Sequence, residues 1–237
     1  MPTAWIDHCR SLPLPGQFLI ACLLQFAIYA SLAGGVSILY GTLRRLGHGE
    51  LIDPRPLRPG QIRTEIAWSL LTCLVYAAFT VAGLHLAASA TPASWSDGFL
   101  RLALILLWYD FLTYWSHRLF HTRPLRGLHA VHHRSIRATP WSVYCIHPLE
   151  ATVNQLQIIL FLLLWPTGVV TLIALQFCIM YGGAIGHSNF DPFGRAPRLA
   201  RLKALQRFHQ RHHSLGRDHF GFAGPHWDIV FGTAGKS

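Results

Sequence analysis

A chain of 237 residues that is 51% hydrophobic and 13% charged carries about half the charge of an ordinary water-soluble domain, for which roughly 25% is usual. Its apolar residues stand in long unbroken runs rather than at helical or strand spacing, which excludes one or two soluble domains and points to a membrane protein. A net charge of +10 admits nucleic-acid binding, but the arginines flank apolar runs and no nucleic-acid module is visible, so attraction to anionic headgroups is the economical reading.

In chain order, Gln17 to Gly41 and Ile66 to Ala90 are each 25 residues without Asp, Glu, Lys or Arg. About 20 helical residues cross a hydrocarbon core, so both predict spanning helices. The first run is too long for a signal-peptide core, and the Arg10 before it is balanced by Asp7, so it is expected to be retained. Phe99 to Trp115 is a shorter third span, interrupted by Arg101 and Asp110. Thr152 to Gly186 is again free of charge, with Trp165-Pro166-Thr167-Gly168 near its middle, which predicts two short helices joined at a tight turn. An open sheet edge does not survive in lipid. The expected fold class is therefore an all-α integral membrane protein of about four transmembrane helices, one hairpin included.

The basic excess lies in Arg44 to Arg63, Arg118 to Arg137 and Arg195 to Arg217, whereas Thr91 to Gly98 carries only Asp97. The positive-inside rule puts the three basic segments in the cytoplasm and the short one outside. The five cysteines, Cys9, Cys22, Cys73, Cys145 and Cys178, form no CxxC pair and read as small buried hydrophobes.

The sequence has 15 histidines. Four clusters share the cytoplasmic face in this topology: SHRLFH (His117, His121), HAVHH (His129, His132, His133), GHSNF (His187) and HQRHH (His209, His212, His213). Residues three and four apart share a helix face, so each HxxHH spreads three imidazoles over a narrow arc. Such a triplet can serve one metal or divide between two. One zinc takes four ligands, or three and a water, and nine histidines exceed that. Imidazole suits zinc, copper, iron and nickel alike, so spacing does not name the element.

His8, His48 and His85 lie outside the clusters, and His147, His219 and His226 are candidates to support the site or face substrate. Metal-bound imidazoles usually give their other ring N–H to a carboxylate or carbonyl. Asp110 stands seven residues before His117, on the same helix face and about 10 Å below it. An ionisable group at that depth is a functional candidate, with a structural partnership to an arginine as the alternative. Glu150, Asp191, Asp218 and Asp228 are the other available carboxylates. A metal-binding or transport protein would fit the histidines too, although transport favours ligands at the bilayer midplane. A membrane zinc hydrolase would need a carboxylate inside a histidine box, and no HExxH occurs.

HRLFH, HAVHH, HPLE, HSNFD, HQRHH and the closing WDIVFGT, in that order between Leu100 and Thr233, resemble the fatty acid hydroxylase and sterol desaturase superfamily of membrane di-iron oxygenases, with boxes similar to those of sterol C4-methyl oxidases. The resemblance implies a cytosolic helical cap holding a dimetal site, with two iron ions as cofactors and O2 as co-substrate. It divides the chain into an N-terminal transmembrane pair (1–98) and a catalytic region (99–237). The ligands it implies are His117, His121, His129, His132, His133, His187, His209, His212 and His213. A tenth histidine of some relatives is replaced by Gly183, and His219, standing where relatives commonly have Asn, or His147 could supply that nitrogen. The substrate would be a lipid from the bilayer, such as a fatty acyl chain, a sterol or a carotenoid, hydroxylated or desaturated between walls at Phe99 to Tyr114 and Gln157 to Tyr181. No heme or iron–sulfur segment accompanies the boxes, so electrons are expected from an external ferredoxin, cytochrome or reductase docking on Arg198, Arg201 and Lys203. The compact chain fits a bacterial inner-membrane enzyme with its site on the cytoplasmic side.

Overall fold

The computed structural model describes residues 2–89, 91–194 and 204–235. Arg198, Arg201, Lys203 and the end of the second apolar run at Ala90 lie outside the described residues. Among the described residues the regular structure is helical apart from one short strand pair.

Helix α1 (Pro2–Ser11), which no apolar run announces, precedes α2 (Leu14–Arg45) and α3 (Gln61–Leu86). Pro13 and Pro15 open α2, where a missing N–H costs nothing, and Arg44 and Arg45 close it against the negative end of the helix dipole. Gly60, with a positive φ of 74°, turns the chain into α3. Helix α1 is anchored at the far end of α3, where the Arg10 guanidinium donates to the carbonyls of Leu84 (3.0 Å) and Ala87 (2.9 Å), satisfying acceptors that a helix end leaves free.

Helix α4 (Trp95–Phe120) is longer at both ends than its apolar run. Ser94 caps it by accepting the Asp97 N–H at 3.1 Å, and Asp97 pairs with Arg101 one turn on at 2.8 Å. The expected hairpin is α6 (Pro148–Leu164) and α7 (Val169–Gly186), broken at Pro166 and Gly168. Among the described residues three helices, α2, α3 and α7, are long and apolar enough to cross a bilayer; α6 is apolar but has 17 residues. Helix α2 packs on α3 and α7, α3 on α6, and α4 on both α6 and α7, so the contacts run in a closed circuit.

At one end of this circuit lie α5 (Arg126–His133), a 3-10 turn at Pro140–Ser142, α8 (Ala204–Leu215) and α9 (His226–Val230). Strand β1 (Glu50–Leu51) pairs antiparallel with β2 (Phe190–Asp191), outside the apolar helices. Gly49 makes the pairing possible: its φ is +70°, and a Cβ there would stand 2.5 Å from the Phe190 ring.

Candidate metal centre

The duplicated HxxHH stretches fold as two helices that face each other. His129, His132 and His133 come from α5, and His209, His212 and His213 from α8. His117 and His121 come from the end of α4, and His187 caps α7. All nine meet, and they sort into two groups whose ligand atoms lie within 4.8 Å of one another. One holds His117, His121, His129, His133 and His212; the other holds His132, His187, His209 and His213.

In both groups the rings turn their Nε2 atoms inward. The Nε2–Nε2 separations are 3.0 Å for His117–His129, 3.2 Å for His121–His212 and 3.3 Å for His121–His133 in the first group. In the second they are 3.2 Å for His132–His187, 2.8 Å for His187–His209 and 3.0 Å for His209–His213. The outer nitrogens are anchored: Nδ1 of His117 donates to the Phe220 carbonyl (2.8 Å), His132 to Cys145 (3.2 Å), His187 to Gly183 (2.7 Å) and His212 to Asp218 (2.7 Å).

A nitrogen that donates to a carbonyl carries the proton, so in a neutral ring the opposite nitrogen carries a lone pair. His132 and His187 thus aim lone pairs at each other. A proton would relieve the clash, but burial, and for His132 the neighbouring imidazoles, disfavour it: His187 is held down at about 4 and His132 well below the usual range. Burial likewise lowers His121 and His133 to about 4, and burial with the neighbouring imidazoles holds His129, His209, His212 and His213 well below the usual range. With metal–nitrogen bonds of about 2.0–2.1 Å, two imidazoles on one ion stand roughly 2.9–3.4 Å apart. The donor set therefore fits a metal ion in each group.

Among the carboxylates, Glu150 stands against a clustered imidazole: its Oε1 lies 2.9 Å from His129 Nδ1, and both side chains are buried, the geometry a support for a metal ligand requires. Asp228 acts one step further out. It accepts the N–H groups of Phe220 and Gly221, each at 2.8 Å, and the Thr233 hydroxyl, and so fixes the loop whose Phe220 carbonyl holds His117. Asp110 binds the last segment of the chain rather than an arginine. Its oxygens bind the Ala223 N–H (2.8 Å), His226 (2.6 Å) and the Trp227 indole (2.7 Å), because the last segment of the chain folds back onto α4. Asp191 accepts from Arg207 at 2.8 Å, and Arg207 also reaches Glu50 at 2.5 Å, which fastens α8 to the strand pair. Asp218 serves through its backbone carbonyl.

Neither candidate tenth nitrogen joins the groups. His147 accepts the Leu149 N–H at 3.2 Å as the cap of α6, and His219, at φ 63°, lies edge-on to Phe208 at 4.0 Å. Gly183 leaves no room for a side chain, since a Cβ there would stand 2.6 Å from Val143 Cγ2. His85 is remote, bound to Gln17 at 2.8 Å. All five cysteines are free thiols; four are buried and Cys178 is exposed.

Sequence reasoning missed the polar residues that lock the elements together. Gln210, inside HQRHH, accepts the Ala138 N–H (3.0 Å) and donates to the Ile136 carbonyl (2.8 Å). Glu65 takes Ser135 (2.7 Å), Gln61 (2.7 Å) and Thr139 (2.5 Å). The available signal for Glu65 was a lone acid at the edge of an apolar run.

The two groups border a cavity lined by His117, His129, His132, His187 and His209 together with Tyr109, Thr113 and Ile179 from the expected walls. Tyr76, Tyr144, Asn154 and Phe222, outside those stretches, are among its other walls.

The profile of the fatty acid hydroxylase family matches residues 102–233. The chain is 35% identical to a Delta(7)-sterol 5(6)-desaturase, ERG3A, of Gibberella zeae over 85 residues, 35% of this chain and 24% of that protein. It is 28% identical to the very-long-chain aldehyde decarbonylase GL1-6 of Oryza sativa over 191 residues, 75% of this chain and 30% of the relative. With a Delta(7)-sterol 5(6)-desaturase of Leptosphaeria maculans it shares 23% identity over 236 residues, 92% of this chain and 61% of the other. The matched stretches thus span between about a quarter and three-fifths of these relatives' lengths. No solved structure gives a significant match. With more than half of its length matched by the profile, and that half carrying all nine clustered histidines, the chain belongs to the fatty acid hydroxylase family.

Proposed function

We propose that this protein is a membrane-bound di-iron oxygenase that uses O2 and electrons from a separate donor to hydroxylate or desaturate a C–H bond of a lipid. The observation that carries the reading is the opposed lone pairs of His132 and His187, 3.2 Å apart in a buried setting that rejects protons. A cation between them removes the conflict. His117, His121, His129, His133 and His212 would hold one iron, and His132, His187, His209 and His213 the other. Five imidazoles exceed what one tetrahedral zinc accepts. Bound there, the irons supply the activation of O2 that an inert C–H bond requires.

The chain's own residues do the rest. Glu150 fixes the tautomer and direction of His129, and Asp228 holds the carbonyl that does the same for His117. Tyr109, Ile179 and Phe222 line the cavity beside the imidazoles and keep bulk water from the reacting end of the lipid. In this reading residues 1–98 are the membrane base and 99–237 the metal-binding region, with α4 and the hairpin completing the base. Positive charge after α2 and α4 favours a cytoplasmic histidine end. The reported relatives are fungal and plant proteins, so a bacterial inner membrane draws no support from them. The electron donor, a ferredoxin, cytochrome or reductase, would approach on the histidine side.

Element-specific analysis of the purified protein beside His132→Ala tests this. About two irons per chain, reduced in the variant, are expected; one zinc, or metal untouched by the substitution, would overturn the reading.

A further inference from the structure

Two cavities share a wall inside the circuit of helices, and a hydrogen bond crosses it. Tyr144 lines the histidine cavity, whereas Gln176 lines a larger, partly open cavity that runs between α2, α3, α6 and α7 toward α1. The Gln176 amide donates to the Tyr144 hydroxyl. It also stands 3.4 Å from Gln25 Oε1, and Gln25 donates to Thr80 at 2.9 Å.

The larger cavity is walled by Leu, Ile and other apolar residues, with Gln17, Gln25, Thr80, Gln155 and Gln176 as its neutral polar members; Asp, Glu, Lys and Arg are absent from its lining. Amides within apolar helices are costly unless partnered. Gln25 is buried, whereas Gln176 is half-buried and borders the apolar cavity, so the tie between α2 and α7 is open on one side. Each offers both a donor and an acceptor. They match a hydroxyl or keto oxygen, which can take over the bonds Gln176 makes across the wall. An ionised carboxylate would find no cation there: Arg10, at the α1 end, is engaged by the carbonyls of Leu84 and Ala87 and lies 3.8 Å from Asp7.

We propose that the larger cavity holds the apolar body of the substrate lipid, and that Gln25, Gln176 and Tyr144 select a neutral oxygen-bearing lipid over a free fatty acid. Naming that lipid a substrate rests on the oxygenase reading; the binding does not. The oxygen atom rests at the wall, and by replacing the Gln176–Tyr144 bond it joins the two cavities.

The test is equilibrium binding of radiolabelled hexadecan-1-ol and hexadecanoate, equal in chain length, to the detergent-solubilised metal-loaded protein at a pH where the acid is ionised. The alcohol should bind at least about tenfold more tightly, the ratio that one unpaired buried polar group produces. Gln176→Leu should remove that preference by weakening the alcohol alone, at unchanged iron content and melting temperature, and Gln25→Leu on the opposite helix should act in the same direction. Equal or tighter binding of hexadecanoate, or a preference that survives both substitutions, would overturn the proposal. Because turnover is not read, an iron-loaded protein without the preference sinks only the selectivity. A preference in a protein that binds no iron sinks only the oxygenase.

Discussion

Nδ1 of His129 and Oε1 of Glu150 lie 2.9 Å apart, joining α5 to the first turn of α6 with both side chains buried. Removing such a support usually costs a metal site about 10–100-fold in affinity. Glu150→Ala should show that loss in an iron titration, and Glu150→Gln, whose amide oxygen can still accept from Nδ1, should lose much less. Equal losses would mean that the negative charge, not the hydrogen bond, is what matters.

The two histidine groups share no ring, so their ions should be separable. His187→Ala should strip the four-histidine group and leave roughly half the iron, and His121→Ala should do the same to the five-histidine group. His85→Ala, bonded to Gln17 far from both, should retain full metal. Iron quantitation per chain decides each case.

Acid should weaken the protein in a defined direction. His121, His133 and His187 titrate near 4 when folded and near 6.5 when unfolded, so between those values the unfolded chain binds more protons. Stability of the metal-free protein therefore falls as pH drops from 6.5 toward 4. Metal release should follow the same course, since ligation needs neutral imidazole. Melting temperatures and iron retention across this range check it; a flat profile would contradict the burial.

Asp228 accepts two buried backbone N–H groups, those of Phe220 and Gly221. Asp228→Ala leaves them unpaired at about 1–3 kcal/mol each. It should lower the melting temperature and, by loosening the carbonyl that holds His117, iron retention too.

Gly183→Ala should also destabilise, because its Cβ would stand 2.6 Å from Val143 Cγ2, and overpacking of that kind costs about 1–3 kcal/mol. Val143→Ala in the same chain should restore much of the loss, a coupling that thermal melts measure.

The histidine centre was legible because its residues are chemically rare and repeat in one pattern, and the hairpin because Pro166 and Gly168 interrupt an otherwise uniform apolar run. Helix α1 was not, since Pro2 to Ser11 is amphipathic rather than apolar and owes its place to Arg10 reaching the end of α3. The role of Asp110 was hidden for a different reason: its partners lie more than a hundred residues on, and no local periodicity relates it to Trp227. The same holds for Glu65 and Gln210, whose types are common and whose meaning comes from the loop 135–139 that they grip. Spacing along a helix showed which histidines share a face, but not how nine of them sort into five and four.

That sorting has a consequence for biosynthesis. Each group draws on both ends of the histidine-bearing region: His212 completes the set begun at His117, and His209 and His213 complete the set begun at His132. A growing chain emerges from its N-terminus at about 5–20 residues per second, so for several seconds after α5 has been made its imidazoles have no counterparts from α8. Neither set is whole until residue 213 has left the ribosome, by which time α2, α3, α4 and the hairpin have all been synthesised. In the proposed function, metal loading would thus be a late, post-insertion event, and a chain stalled before α8 would display several unmatched imidazoles to whatever metal the cell offered first.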